Sequence, residues 1–191
     1  PARAMVVSYQ RSFRGLQEFT SNPREVLDAI RSVKTHTGAR VTVDSARRDI
    51  MDKMRKYKDQ ELSRSTYDAE MDGGYHTVLR LIKGFADEEA NNLAFTLDSL
   101  RGVVTSLAGL PGKKSIIYIS NGLPMIAGMD LFYEFSRIYR DTSILTAISQ
   151  YDRSRLFQSL VNSANAQGVT FYTIGAGGLE LAGVGTAEYA S

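Results

Sequence analysis

A chain of 191 residues, 43% hydrophobic and 23% charged, has the length for one globular domain with a sizeable core but not for two comfortable ones. Its formal charge of +2 supplies no bulk attraction to nucleic acid or to a membrane surface, and no apolar run approaches the length of a membrane span. Having no cysteine excludes disulfides and thiolate metal sites, which is compatible with an oxidising compartment without establishing one.

No signal peptide is visible. The chain starts at Pro1 without an initiator methionine, and a strand-like pattern sets in almost at once. Pro1 therefore reads as an interior residue, with room upstream for a leader or for more of the domain.

In chain order, 4–9 and 12–19 read as two strands joined by a short turn at Gln10 and Arg11, with Phe13, Gly15, Gln17 and Phe19 on one face of the second. A helix start follows: Asn22 as cap, Pro23 at the first helical position and Glu25 three residues after the cap, with Val26, Ile30 and Val33 as the buried stripe. From Thr35 to about Phe85 the pattern loosens. A helix over 44–58 is expected, with Ile50, Met54 and Tyr57 facing inward. Its cations Arg47, Arg48, Lys53, Arg55, Lys56 and Lys58 are interrupted by Asp49, Asp52 and Asp59, so they read as a solvated face and not as a nucleic-acid stripe. Gly73 and Gly74 are expected to break the pattern.

The strongest helix signal runs from Asp87, read as its cap, to Leu107. Ala90, Leu93, Leu97, Leu100, Val104 and Leu107 alternate spacings of three and four and form one apolar seam, fit to pack on a sheet or helix or to pair chains. A strand at 115–120 opens into the loop 121–124. A short helix over 130–140 buries Leu131, Phe135 and Ile138, and a clearer one over 152–168 buries Phe157, Leu160, Val161 and Ala164 before stopping at Gly168. The strand 169–174 ends in a glycine-rich tail. There is no internal repeat.

Strand, loop, helix, strand is the order of a parallel sheet covered by helices, and ligands in such sheets bind beyond the C-terminal ends of the strands. Asn121 and its neighbours hold that position. The run 109–115 does not make a phosphate loop, because Leu107 stands where the first glycine belongs and the run precedes a strand. The tail begins like a dinucleotide fingerprint but has Glu180 at its sixth position. His36 and His76 have no metal-ligand spacing, and no Gly-x-Ser-x-Gly elbow occurs. Ser120 reads as a residue that orients its loop, and Asp130 as a helix cap with a ligand role as the alternative. Asp68, Glu70 and Asp72 lack the later glutamate of a calcium loop and read as exposed.

Three segments together resemble the von Willebrand factor A-type domain, in its bacterial variety: MVVSYQRSFRGLQEFTSNPREVLDAI (5–30), LAGLPGKKSIIYISNGLP (107–124) and LVNSANAQGVTFYTIGAGGL (160–179). They cover somewhat over a third of the chain, in the family's order. The resemblance implies an α/β fold with a doubly wound, mostly parallel sheet and helices on both faces. It implies one domain over 1–178, a helical insertion at about 36–86 and a tail at 179–191. It also implies a divalent metal, magnesium or manganese, held by hard oxygen ligands at the top of the sheet.

The family builds that site from an Asp-x-Ser-x-Ser loop after the first strand, a threonine and a later aspartate. Here no Asp-x-Ser-x-Ser occurs, and the runs at Asp141 and Asp152 stop short of the second serine. Asn121 stands at the aspartate position and Thr77 at the threonine position, with Tyr75 as the alternative, so the metal site is degenerate unless ligands are supplied upstream. The family's first strand lies at the centre of its sheet. This chain begins at the second, which leaves a gap to be filled from upstream of Pro1 or by another chain.

The resulting expectation is a non-enzymatic protein-interaction module, secreted or periplasmic by resemblance and lack of cysteine. It would meet a protein partner through Ser120, Asn121, Gly122, Leu123, Pro124 and Asp130. Binding to nucleic acid and a membrane span are not expected. Two other classes stay open: an assembly subunit that forms homo-oligomers by the 87–107 seam or a donated strand, and a small α/β hydrolase or transferase with its site at 120–124.

Overall fold

A computed structural model describes residues 2–9, 13–33, 38–63, 71–120 and 122–175, the side chains of 38–42, 60–63 and 71–73 excepted. The turn at 10–11, His36, Asp68, Glu70, Asn121 and the glycine-rich tail lie outside the described residues.

Strands β1 (Ala4–Tyr9) and β2 (Phe13–Thr20) form an antiparallel hairpin whose register shifts on both sides of Val6. Helix α1 (Pro23–Ser32) starts as its sequence predicts. The Asn22 side chain accepts from the Arg24 amide at 3.1 Å and donates to Glu25 at 2.9 Å, while the Thr20 hydroxyl donates to the other Glu25 oxygen at 2.6 Å. Its expected buried stripe is not the one that packs. Ala29 is buried, whereas Leu27, Ile30 and Val33 stay exposed at 50%, 48% and 45%. The periodicity was apolar over a wide arc, and the hairpin covers one edge of it.

Helix α2 (Gly38–Ser63) carries the 44–58 pattern, with Ile50 and Met54 buried and Tyr57 half-buried. Helix α3 (Met71–Ser106) runs unbroken through Gly73 and Gly74, and Asp87 lies inside it instead of capping it. Gly74 has a packing role: a Cβ there would lie 3.2 Å from the Tyr57 Cβ, so the glycine lets α2 and α3 approach. Asp87 does not start a helix because Val78, Ile82 and Ala86 extend the apolar stripe backward without interruption.

Strand β3 (Lys114–Ser120), helix α4 (Met129–Tyr139), a 3-10 segment (Ser143–Tyr151), helix α5 (Ser154–Ala166) and strand β4 (Val169–Gly175) complete the described chain. In α4, Leu131 and Phe135 are buried as expected, together with Phe132. In α5, Leu160 and Ala164 are buried, but Phe157 is 38% exposed and Leu156 packs against the core. Gly168, at φ +62°, stops the chain before β4.

The fold is α/β. The expected doubly wound sheet is not formed by the described residues, which make two separate two-stranded sheets, β1–β2 and β3–β4. β3 and β4 pair in parallel without a bulge, from Lys114 opposite Val169 to Ser120 opposite Gly175. Two cores flank α3. One joins α2, the first half of α3, α4 and the 3-10 segment around Met54, Ile82, Leu131, Phe132 and Phe135. The expected insertion at 36–86 thus supplies two of the helices of that core. The other joins the second half of α3, α5 and one face of β3–β4 around Leu97, Val104, Leu160 and Val169, with Phe19 of the hairpin packed against it.

Candidate functional site

Two places qualify: the loop at the C-terminal end of β3, and the outer face of the β3–β4 pair. At the loop, Ser120 is half-buried, and its hydroxyl accepts from the Gly122 amide at 3.2 Å, the orienting role read from its position. Gly122 takes φ +99°, a conformation that side-chain-bearing residues rarely adopt. Leu123 packs against the second core and Pro124 is exposed. The loop is then tied to the approach to α5: the Arg153 amide donates to the Met125 carbonyl at 2.9 Å, and Ile126 pairs with Asp152 as an antiparallel bridge.

Asn121 lies outside the described residues. Thr77 sits half-buried on α3, next to Val78 of the first core. It lies sixteen residues, about 24 Å of helix axis, from Leu93, the first α3 residue of the second core. Among the described residues no group of three or more His, Cys, Asp and Glu side chains could hold a metal ion.

Asp130 does not cap α4, whose cap position is Gly128. Its carboxylate takes both the Arg47 Nε (2.7 Å) and an Arg47 terminal nitrogen (2.6 Å) on one oxygen, tying α4 to α2. Lys53 pairs with Asp49 at 2.7 Å, so two cations of the α2 face are engaged within the molecule. The two Asp-x-Ser runs are helix-start turns. Asp141 accepts from the Ser143 amide at 2.8 Å and hydroxyl at 2.6 Å and from the Tyr75 hydroxyl, and these bonds, Ser143 first, hold its carboxyl below the usual range. Asp152 accepts from the Ser154 amide at 2.7 Å and is held low by Ser154 as well. Both serine-containing runs serve the backbone of the next helix, which accounts for their resemblance to a ligand loop.

The carboxyls with lowered pKa thus stand at helix starts and in the Glu134–Arg137 ion pair, not at the end of β3. A hydrolase or transferase at 120–124 predicts titratable groups clustered beside Ser120. The seam from Ala90 to Leu107 is buried against the other elements of the same chain, which leaves it no free face for pairing chains.

The outer face of β3–β4 is different. Alternation along the strands places Ile116, Tyr118, Val169 and Phe171 inward, beneath α3 and α5. The same alternation and the parallel register place Ile117 beside Tyr172 and Ile119 beside Ile174 on the opposite face. In chain order, Ile117, Ile119, Tyr172 and Ile174 are 64%, 57%, 57% and 52% exposed, and the neighbouring pair, Ser115 and Thr170, is exposed too. Sequence reasoning placed these residues in strands but missed their exposure. The signal was the unbroken apolar run 116–119, which calls for cover on both faces.

No match supplies a precedent. Comparison with protein-family models, curated proteins and solved structures finds none for this chain. Its reading therefore rests on the residues themselves. Among the described residues, no helix is long and apolar enough to cross a membrane.

Proposed function

We propose that this chain is a protein-interaction module of von Willebrand A type, not an enzyme, and that it binds its partner through the outer face of β3–β4. The carrying observation is that face: four large apolar side chains, exposed together on a parallel pair and accompanied by Ser115 and Thr170 but no charge. Parallel strands are ordinarily covered on both sides, and a contiguous exposed apolar patch marks an interaction surface. The von Willebrand A part of the reading draws on the resemblance of 5–30, 107–124 and 160–179. The parallel pairing of β3 and β4 across α5 accords with it. Divalent-metal assistance is not part of the proposal, which rests on the apolar face alone.

The test is retention of protein from an extract of the source cells on the immobilised chain, a second copy of the chain included, identified by mass spectrometry. Ile119→Glu is expected to abolish retention. Tyr133→Glu, at an exposed position on α4, and addition of a chelator are expected to leave it intact. Retention that survives Ile119→Glu would sink the proposed face, and loss on chelation would sink the metal-free form.

A further inference from the structure

The uncovered sheet face has a counterpart in the same molecule. Helix α1 advances about 100° per residue. Ala29, Val33, Val26, Ile30 and Leu27 therefore span an apolar arc of roughly 160° on its surface. The hairpin covers the Ala29 edge of that arc, and Leu27, Ile30 and Val33 remain about half exposed. A sheet without its second helical layer and an amphipathic helix whose apolar arc is only partly covered by the hairpin are complementary halves of a two-layer contact. Within one chain they do not meet, because both are exposed at once.

Resting on the docking face just proposed, we infer that its occupant is α1 of a second copy. The pair is a symmetric dimer in which each α1 covers the partner's β3–β4 face. Symmetry follows from the composition of the surfaces: each copy offers one helix and one sheet, so a twofold arrangement satisfies both contacts and closes the assembly.

The charges agree. The paired strand positions of the sheet face carry none, and on α1 the exposed Arg24 and Arg31 are balanced by the exposed Glu25 and Asp28, leaving that described helix no net charge.

The area agrees as well. At roughly 100 Å² of side-chain surface per large apolar residue, the exposed fractions on the two faces supply ~700 Å² of apolar burial for the pair. A standard interface buries about 1,200–2,000 Å² in all, somewhat over half of it apolar, so these side chains supply the apolar share of one at the small end of that range.

Sedimentation equilibrium of the 191-residue chain over a wide concentration range tests the inference. The unaltered chain is expected to dimerise. Ile119→Glu on the sheet and Ile30→Lys on the helix should each weaken dimerisation by at least about tenfold, with helix content by circular dichroism retained. Mixing the two variants should restore a heterodimer, because one contact is then native and the other sets the introduced glutamate of the sheet variant against the introduced lysine of the helix variant. Recovery on mixing also shows that neither variant had merely misfolded. A chain that stays monomeric throughout overturns the second-copy occupant. The docking face itself survives that result if extract protein is still retained in an Ile119-dependent way. A dimer unaffected by either substitution, or variants that do not complement each other, places the contact elsewhere and also overturns the inference.

Discussion

Around the first half of α3, apolar side chains meet partners from several elements. Met54 comes from α2, Leu131, Phe132 and Phe135 from α4, and Ile144, Ile148 and Tyr151 from the 3-10 segment, and all are buried. Around the second half, α3 and α5 cover one face of β3–β4 and nothing among the described residues covers the other. The same helix therefore serves a closed core at one end and a sheet with one bare face at the other. A closed cluster can hold its geometry without a partner, whereas a parallel pair with a bare apolar face gains by acquiring one. The difference separates a region closed within the chain from one whose apolar face is left bare.

Truncation at matched positions tests that separation most strongly. Phe135 is fully buried, with its ring centroid 4.5 Å from that of Tyr139 and 5.0 Å from that of Tyr75. Phe135→Ala is expected to cost about 3–5 kcal/mol, through lost transfer energy and the cavity left behind. Ile117→Ala, on the bare face, is expected to change stability by under about 1 kcal/mol in the monomer. Urea denaturation at low protein concentration measures both, provided the slope of each transition is unchanged. Equal losses would mean that the outer face is already covered in solution.

A smaller effect is expected where the loop after β3 enters the closed core. Gly128 starts α4 at φ +67°, and a Cβ there would lie 3.0 Å from that of Ala86 on α3. Gly128→Ala therefore combines a left-handed backbone conformation with a contact between two elements that have little room to move. The expected loss is about 1–3 kcal/mol, read by the same denaturation. A neutral result would show that the junction between the two regions is softer than its packing implies.

Much of the helical structure was legible in sequence because its signals are local. The Asn22–Pro23–Glu25 start, the Ile50–Met54 spacing and the seam from Ala90 to Leu107 each report a backbone geometry through residues a turn or two apart. What failed needed knowledge of a distant neighbour. Gly73 and Gly74 suit a break or a close approach equally, and the ring of Tyr57 on another helix decides between them. Asp87 has capping chemistry in the middle of a stripe that simply continues. Val26, Ile30 and Val33 marked an amphipathic helix without saying which part of the arc would meet the hairpin. The loop at 120–124 was placed correctly at a strand end. Strands β1 and β2, however, pair with each other and not with β3, and pairing between segments far apart in the chain leaves no mark in a local pattern. The run 116–119 encoded a demand for cover that a single strand sequence cannot assign to a provider.

The finest test concerns the boundary between the two regions. Glu89 lies on α3 between Ala86 and Ala90 of the closed core and Leu93 of the half-covered one, and it is half-buried. Burial raises its pKa above the ordinary 4.5, the neighbouring charge of Glu88 adds to the rise, and a hydrogen bond with Asn92 opposes it. A carboxyl raised in this way holds its proton in the folded state over a pH interval in which the unfolded chain has lost it. Stability from this group therefore falls as pH rises from about 4.5 through the raised value, and the deficit persists to neutrality. Glu89→Gln mimics the protonated form and keeps an oxygen for Asn92. It should stabilise the protein at neutral pH by on the order of a few tenths of a kcal/mol, the size left after solvent screening of a half-exposed group. The gain should vanish below the ordinary glutamate pKa, where the native side chain is protonated in both states. Thermal unfolding of both proteins across that range gives the comparison. A gain that is flat with pH would assign the effect to helix propensity. A gain that grows toward neutrality would show that the closed core excludes water as far along α3 as Glu89.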